Sequence, residues 1–181
     1  LRKFEDPSRP SVNNLYIDTN GIIHSAASAT KFKGPELTND FLSELYRRID
    51  SCVQIYQPTD LIFISSDGVA PYAKACQQRQ RRFVSAQESD SEVIDHCAIT
   101  PGTQLMYDIH QKLKEFIKKQ KKADSSWSKP RVIYSGVFVP GEGEHKIINF
   151  IQFKTCFLPK LALCALKRLL SLVNQACGKI I

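Results

Sequence analysis

Three short apolar runs stand out along the chain, and each of them ends in polar or acidic residues. They cover Asn14–Asp18, Leu61–Ser66 and Arg131–Ser135. Apolar runs of about five residues that are bounded by turn-forming residues indicate buried β-strands. Between these runs, apolar residues recur every three or four positions, which is the period of an amphipathic helix. The alternation of strands and helices predicts an α/β fold with a mainly parallel sheet.

Four segments have this helical period. The clearest spans residues 38–57, where Thr38 is placed to cap the N-terminus. Its apolar stripe comprises Phe41, Leu42, Leu45, Ile49 and Val53. The other helices are predicted from Pro71 to about Phe83, from about Thr103 to Lys122, and from His145 into the 150s. Residues 88–101, which are rich in acidic residues and serine, are predicted to form a linker.

Acidic residues follow all three predicted strands. Asp18 ends the first strand, Asp67 follows the second, and Glu142 and Glu144 lie after the third. Since the carboxyl ends of parallel strands meet at one edge, we expect these carboxylates to converge there and to need a cation. Oxygen ligands favour Mg²⁺ or Mn²⁺, and two such ions can support phosphodiester hydrolysis. The alternative is that each acid is a solvated turn residue or, for the two glutamates, an acid at a helix N-terminus.

A basic face is predicted on the helix that follows Asp67. At about 100° per residue, Arg79 falls about 140° from Lys74 and points away from this face. The face itself holds Lys74, Gln78, Arg81 and Arg82. Guanidinium, ammonium and amide groups together can hold a terminal 5′ phosphate, although a solvated basic face is the simpler interpretation. Beside a metal centre, such a pocket is typical of a 5′-end-dependent exonuclease, and His24 could stack on a base.

The net charge of +7 divides unevenly along the chain. Residues 1–144 carry +1, from 19 basic and 18 acidic side chains, whereas residues 145–181 carry +6 without a single acid. The apolar stretch 155–177 is interrupted by Pro159, Lys160, Lys167 and Arg168. Charges in the middle of a membrane span are costly, so we expect neither a transmembrane helix nor a membrane partner.

Four stretches of the sequence resemble the 5′→3′ exoribonuclease (Xrn) family. They are NLYIDTNGIIH from Asn14, DGVAPYAKACQQRQRRFVSAQE from Asp67, ITPGT from Ile99 and SGVFVPGEGEHKI from Ser135. The resemblance covers residues 14–152 and implies a PIN/FEN-like nuclease core. It also implies that Mg²⁺ or Mn²⁺ supports hydrolysis of single-stranded RNA with a 5′ monophosphate, releasing mononucleotides in RNA decay.

The same resemblance implies roles for individual residues. The catalytic, metal-binding acids of the family are matched by Asp18, Asp67, Glu142 and Glu144. Its 5′-phosphate pocket is matched by Lys74, Gln78, Arg81 and Arg82, and its base-stacking histidine by His24. The SGxxxPGEGEHKI stretch, with Ser126-Trp127 upstream, is more similar to the cytoplasmic mRNA-decay branch than to the nuclear one. A cytoplasmic location is therefore expected, with a nuclear location as the alternative.

The sequence departs from the family pattern after Gln152. The family continues there to an Asp-x-Asp pair, whereas this chain continues into a basic, apolar tail over residues 153–181. We therefore expect residues 14–152 to form a partial nuclease region that is incomplete on its C-terminal side. Three interpretations stay open: an exoribonuclease, a truncated module that binds RNA 5′ ends with little or no catalysis, and a mis-spliced product.

Overall fold

The structure is a computed structural model that describes residues 12–32, 36–88 and 98–156. Most of the predicted linker and of the predicted tail lies outside these residues. Within them, the three predicted strands are present as β1 (Asn14–Asp18), β2 (Leu61–Ser65) and β3 (Arg131–Ser135). Both strand pairs are parallel and the order is β1-β2-β3, so the prediction of a parallel sheet is confirmed.

Helices connect and flank the strands. They are α1 (Thr19–Ala29), α2 (Asn39–Tyr56), α3 (Tyr72–Glu88), α4 (Gln104–Ala123), α5 (Ser125–Ser128) and α6 (Gly143–Cys156). The predicted cap of α2 is confirmed, since the Thr38 hydroxyl accepts a hydrogen bond from the Phe41 N–H at 3.3 Å. No helix in the described ranges is both long and apolar enough to cross a bilayer.

Several helix boundaries differ from the sequence predictions. The helix α1 is not predicted, because Thr19-Asn20-Gly21 has the composition of a turn. The Asp18 carboxylate instead caps this helix by accepting a hydrogen bond from the Asn20 N–H at 3.0 Å. The short α5 is also absent from the prediction, and α3 runs on to Glu88. α6 begins at Gly143 and continues through Cys156, past the predicted start of the tail.

The sheet is packed between helices on both faces. Successive strand residues point to opposite sides, and β2 is buried along its whole length. Ile62 and Ile64 join the main core, which includes the buried stripes of α2 and α4 and also Trp127. On the opposite face, Phe63 stacks on Phe150 of α6 with ring centroids 4.5 Å apart. The sheet edge where the strands end is thereby held between two packed layers.

Trp127 packs the short helix α5 against the core. Its side chain is fully buried and packs edge-on against Phe116, with ring centroids 5.7 Å apart. The indole N–H donates a hydrogen bond of 2.8 Å to the Asp50 carboxylate on α2. A buried indole N–H needs such an acceptor, so this contact joins α2 to the segment that leads into β3.

We expect Asp50→Ala to lower the free energy of unfolding by about 1–3 kcal/mol, because the indole N–H loses its acceptor while it stays buried. Asp50→Asn keeps an oxygen at that place and should cost less. Urea denaturation followed by the fluorescence of the chain's single tryptophan measures both variants. Equal losses for the two variants would contradict this role of the hydrogen bond.

Candidate active site

The parallel sheet brings polar groups from all three strands to one edge. Asp18 at the end of β1 is in register with Ser65 of β2, which is in register with Ser135 of β3. Asp67 follows two residues after Ser65, and the segment from β3 leads to Glu142 at the start of α6. The convergence expected for Asp18, Asp67 and Glu142 thus follows from strand direction and register.

The backbone of Gly143 joins these elements. Its N–H donates a hydrogen bond of 2.7 Å to Asp67 Oδ1, and its carbonyl accepts one of 3.1 Å from the Ser65 hydroxyl. A Cβ atom at this position would collide with the Asp18 carboxylate and would lie 3.2 Å from the Ser65 Oγ. A side chain at position 143 would therefore displace the Asp18 carboxylate from its place at the ends of β1 and β2.

The surroundings of Asp67 disfavour its negative charge. Burial raises the pKa of Asp67 above its usual range, and the charges of Asp18 and Glu142 raise it further. The hydrogen bond from Gly143 and the charge of Lys146 act in the opposite direction. Asp18 and Glu142 are therefore both close enough to Asp67 for their charges to act on it.

Glu142 is a buried acid, and one of its carboxylate oxygens accepts no hydrogen bond from the described residues. The residue is only 8% exposed, and its Oε1 accepts no hydrogen bond from the described residues. Lys74 Nζ lies 3.4 Å from this oxygen, which is within ion-pair range but without hydrogen-bond geometry. A buried carboxylate oxygen without a hydrogen bond, next to two more carboxylates, suits a hard divalent cation. The donor set at this edge therefore fits Mg²⁺ or Mn²⁺.

Glu144 lies in the first turn of α6, where its side chain is 67% exposed. Its Oε1 is 3.9 Å from His145 Nδ1, and that nitrogen is 3.4 Å from Glu142 Oε2. One possible ligand atom from each of Glu142, Glu144 and His145 lies within 4.8 Å of the others. The sequence interpretation does not include His145, although it directly follows two of the acids.

Lys146 is a second residue that sequence reasoning misses, because its charge is grouped with that of the basic tail. It is only 6% exposed. Its ammonium donates hydrogen bonds to the carbonyls of Ser66 at 2.7 Å and Gly136 at 2.9 Å. Burial lowers the pKa of Lys146, while Asp67 and Asp18 raise it. Its position one helical turn after Glu142 is the signal that could have found it.

Residues of the basic helix α3 and two of the four acids line one cavity of about 310 Å³. Asp67 and Glu142 lie in its wall together with Gln78 and Arg79 of α3. The prediction that Arg79 points away was wrong. Angular spacing gives the relative directions of side chains on a helix, but only tertiary packing decides which sector faces the site. Here the sector that includes Ala75, Gln78 and Arg79 does so.

For three predicted site residues, Arg81, Arg82 and His24, the structure shows the position on a helix but does not test the predicted role. The helix backbone carries Arg81 and Arg82, but their side chains lie outside the described part of the structure. His24 is half-buried on α1, one helical turn beyond Asn20, whose N–H is capped by Asp18. Phosphate binding by the two arginines and base stacking by His24 remain predictions.

Most of the chain matches one known protein family. Residues 2–93 and 86–160 match the XRN 5′-3′ exonuclease N-terminus. The chain belongs to this family. The three-stranded parallel sheet and its flanking helices agree with the PIN-like nuclease core of the XRN N-terminal region, so the predicted fold class is confirmed.

Relatives of this XRN region include proteins named 5′-3′ exoribonuclease. The chain is 35% identical to 5′-3′ exoribonuclease 1 of Homo sapiens over 160 residues, which covers 79% of this chain and 9% of that protein. It is 35% identical to 5′-3′ exoribonuclease 1 of Saccharomyces cerevisiae over 172 residues, which covers 84% and 11%. For 5′-3′ exoribonuclease 2 of Candida albicans, the identity is 32% over 177 residues, covering 83% and 18%. The chain spans less than a fifth of the length of each.

We expect Gly143→Ala to lower the free energy of unfolding by about 0.5–2 kcal/mol, because the new methyl group displaces the Asp18 carboxylate, which then no longer caps α1. Gly21→Ala is the matched control. It lies in α1, where a new methyl group would have no atom within 4 Å, so it should stabilise by about 0.5–1 kcal/mol. Urea denaturation compares the two. A neutral effect at Gly143 would contradict the close approach.

Asp67→Asn should stabilise the chain near neutral pH when EDTA removes divalent cations. The folded state holds the Asp67 proton to a higher pH than the unfolded state, so stability falls as the pH rises through the raised pKa. Asparagine avoids this loss, and its amide oxygen can still accept the Gly143 N–H. The advantage should vanish as the pH falls toward about 4, the ordinary aspartate value.

Urea denaturation across this pH range measures the difference between the two chains. Asp60→Asn, at an exposed position before β2, is the control and should show no such pH-dependent gain. An Asp67→Asn advantage that persisted at low pH would show that its cause is not the titration of this carboxyl.

Proposed function

We propose that this chain carries the catalytic edge of a divalent-metal-dependent 5′→3′ exoribonuclease that acts on RNA with a 5′ monophosphate. One observation carries the proposal: acids at the sheet edge and polar or cationic residues of α3 line the same cavity. Acids alone would support many metal sites, and a basic helix alone would support many anion sites. Their shared cavity supports cleavage next to a held phosphate.

The acids supply the ligand set for Mg²⁺ or Mn²⁺. Glu142 is buried and Asp67 half-buried, while Asp18 and Glu144 are exposed at the same edge. When bound, such ions supply the positive charge that activates a water molecule and stabilises the leaving oxygen. The chain's own contribution is to hold the acids in place through the Gly143 backbone and the buried Lys146.

The α3 residues are proposed to bind the terminal phosphate. Lys74 and Gln78 belong to the predicted pocket, and Arg79 joins it because it lines the cavity. Arg82 lies one turn beyond Gln78 on the same helical row, with Arg81 beside it. Guanidinium groups hold phosphate oxygens with paired, charge-assisted hydrogen bonds. A 5′-hydroxyl end has no charge for these groups and should bind more weakly.

The proposed reaction is hydrolysis of the first phosphodiester bond. The oxygen of water bonds to phosphorus, and the bond from phosphorus to the 3′ oxygen of the first nucleotide breaks. That 3′ oxygen gains a proton from the water and leaves as a hydroxyl of the released nucleoside 5′-monophosphate. The shortened RNA keeps a 5′ monophosphate, so the same pocket can bind it again. His24 is proposed to stack on a base, and the site of action is proposed to be cytoplasmic RNA decay.

The test is incubation of the full chain with Mg²⁺ and single-stranded RNA that bears either a 5′ monophosphate or a 5′ hydroxyl. We expect release of mononucleotides from the monophosphorylated RNA, and EDTA should stop it. Arg79→Ala and Arg82→Ala should each weaken monophosphate-selective binding about tenfold to a hundredfold, the usual effect of losing a hydrogen bond to a charged group. The matched control is Lys119→Gln, which removes one positive charge from the exposed face of α4.

The outcomes separate the open interpretations. Monophosphate-selective binding without release would support the RNA 5′-end binding module instead of the enzyme. Equal binding of both RNA ends would contradict the phosphate pocket on α3. If Arg82→Ala had the expected effect and Arg79→Ala had none, the pocket would have the composition predicted from the sequence rather than the one extended by Arg79.

A further inference from the structure

A second cavity, of about 360 Å³, lies beside the segment that follows β3. Its wall comprises parts of α4, the end of β3 and the segment from Gly136 to Val139. That segment then continues to Gly141, whose N–H and carbonyl form 2.9 Å hydrogen bonds with Val69 and Gly68 in the wall of the first cavity. The segment 136–142 therefore contributes Gly136, Phe138 and Val139 to the second cavity and Glu142 to the first.

Aromatic rings form one side of this second cavity. The ring of Phe138 meets His110 edge-on with centroids 5.1 Å apart, and the residue is 67% exposed. His110 in turn stacks on Tyr134 with centroids 5.2 Å apart. An exposed ring that packs against His110, which is itself stacked on Tyr134, is a platform on which a flat apolar group can stack.

This platform is held rigidly to the sheet edge. His110 Nδ1 is 3.1 Å from the Tyr134 hydroxyl, which is 3.1 Å from the Ser66 hydroxyl beside Asp67. Burial raises the pKa of Tyr134 to about 12, so the phenol stays neutral. A Cβ on Gly136 would collide with the His110 ring, so the ring packs directly on bare backbone there.

Two lysines complete the cavity. Lys114 and Lys118 follow His110 on the same row of α4, at intervals of four residues. Both are exposed, and among the residues that the structure describes neither forms an ion pair, whereas Lys112 pairs with Glu115 at 3.0 Å. The cavity thus combines a stacking surface with two available ammonium groups.

We infer that this second cavity binds a nucleotide of single-stranded RNA, with the base on Phe138 and the phosphates at Lys114 and Lys118. Aromatic stacking next to cationic side chains is the usual chemistry of single-strand binding without sequence preference. RNA is favoured over an acidic protein because the first cavity is proposed to hold an RNA end, and Glu142 in its wall lies only three residues after Val139 in the wall of the second. The inference extends the proposed function, since both involve RNA, but it needs neither cleavage nor a 5′ phosphate.

The test uses the full chain in EDTA and a labelled 5′-hydroxyl oligouridylate of about ten nucleotides, measured by fluorescence anisotropy over a range of salt concentrations. Phe138→Ala should weaken binding about tenfold through the loss of one stacked base. The double variant Lys114→Gln/Lys118→Gln should reduce the slope of log K against log salt by about 1.4, as expected for two lost phosphate contacts on a single strand.

The matched control is Lys119→Gln/Lys122→Gln, which removes the same charge from the same helix outside the cavity. It should change the slope much less than the cavity pair. Equal effects of the two pairs would overturn the inference in favour of non-specific attraction. Unchanged RNA affinity in the cavity variants, with unchanged thermal unfolding, would also overturn it and leave an acidic protein segment as the candidate occupant.

Two further measurements are needed. One distinguishes a free nucleotide from an RNA strand as the ligand, and the other distinguishes this inference from the proposed 5′-phosphate pocket. A free nucleotide has the same chemistry, so AMP is titrated as well; AMP should bind at least about tenfold more weakly than the oligonucleotide. Equal binding would overturn the assignment to a strand. Lys114→Gln/Lys118→Gln should keep the preference for a 5′ monophosphate, whereas Arg79→Ala should lose that preference and keep 5′-hydroxyl binding. Failure of one proposal is thus distinguishable from failure of the other.

Discussion

Asp18 and Glu142 both repel the charge of Asp67 at the carboxyl edge of the sheet, and the surrounding structure offsets this repulsion without removing it. The Gly143 N–H and the Lys146 charge both favour ionised Asp67, yet burial and its two acidic neighbours still raise its pKa. An edge that remains short of positive charge favours a bound cation. The start of α6 lies at these acids, where the Gly143 N–H binds Asp67 and the buried Lys146 binds the Ser66 carbonyl beside it.

The segment between β3 and α6 does more than connect two elements. Lys146 fixes its first residue, Gly136, and the backbone of Gly141 fixes its end to the segment after β2. Its end places Glu142 in the wall of the acid-lined cavity, and its middle places Phe138 edge-on against His110. Rigid attachment at both ends explains how so short a segment can shape two cavities.

The distribution of charge has a different meaning in three dimensions. The sequence assigns +1 to residues 1–144 and +6 to residues 145–181, which suggests a basic tail. Lys146 is nevertheless buried beside the acids, and Lys154 donates a hydrogen bond to Asn14 on β1. The cations that matter for the acid-lined site are therefore a buried lysine and the face of α3, and neither is visible in a net charge.

The order of residues along the chain is enough to predict the three strands, the cap of α2, the apolar stripes of α2 and α4, and the gathering of Asp18, Asp67 and Glu142. These follow from local periodicity and from the rule that parallel strands end at one edge. Folding in three dimensions selects the sector of α3 that faces the site, so that Arg79 lines the cavity. It also buries Lys146 and makes Asp18 the start of a helix. Those features depend on contacts between segments far apart in the chain, and such contacts leave no periodic trace in the sequence.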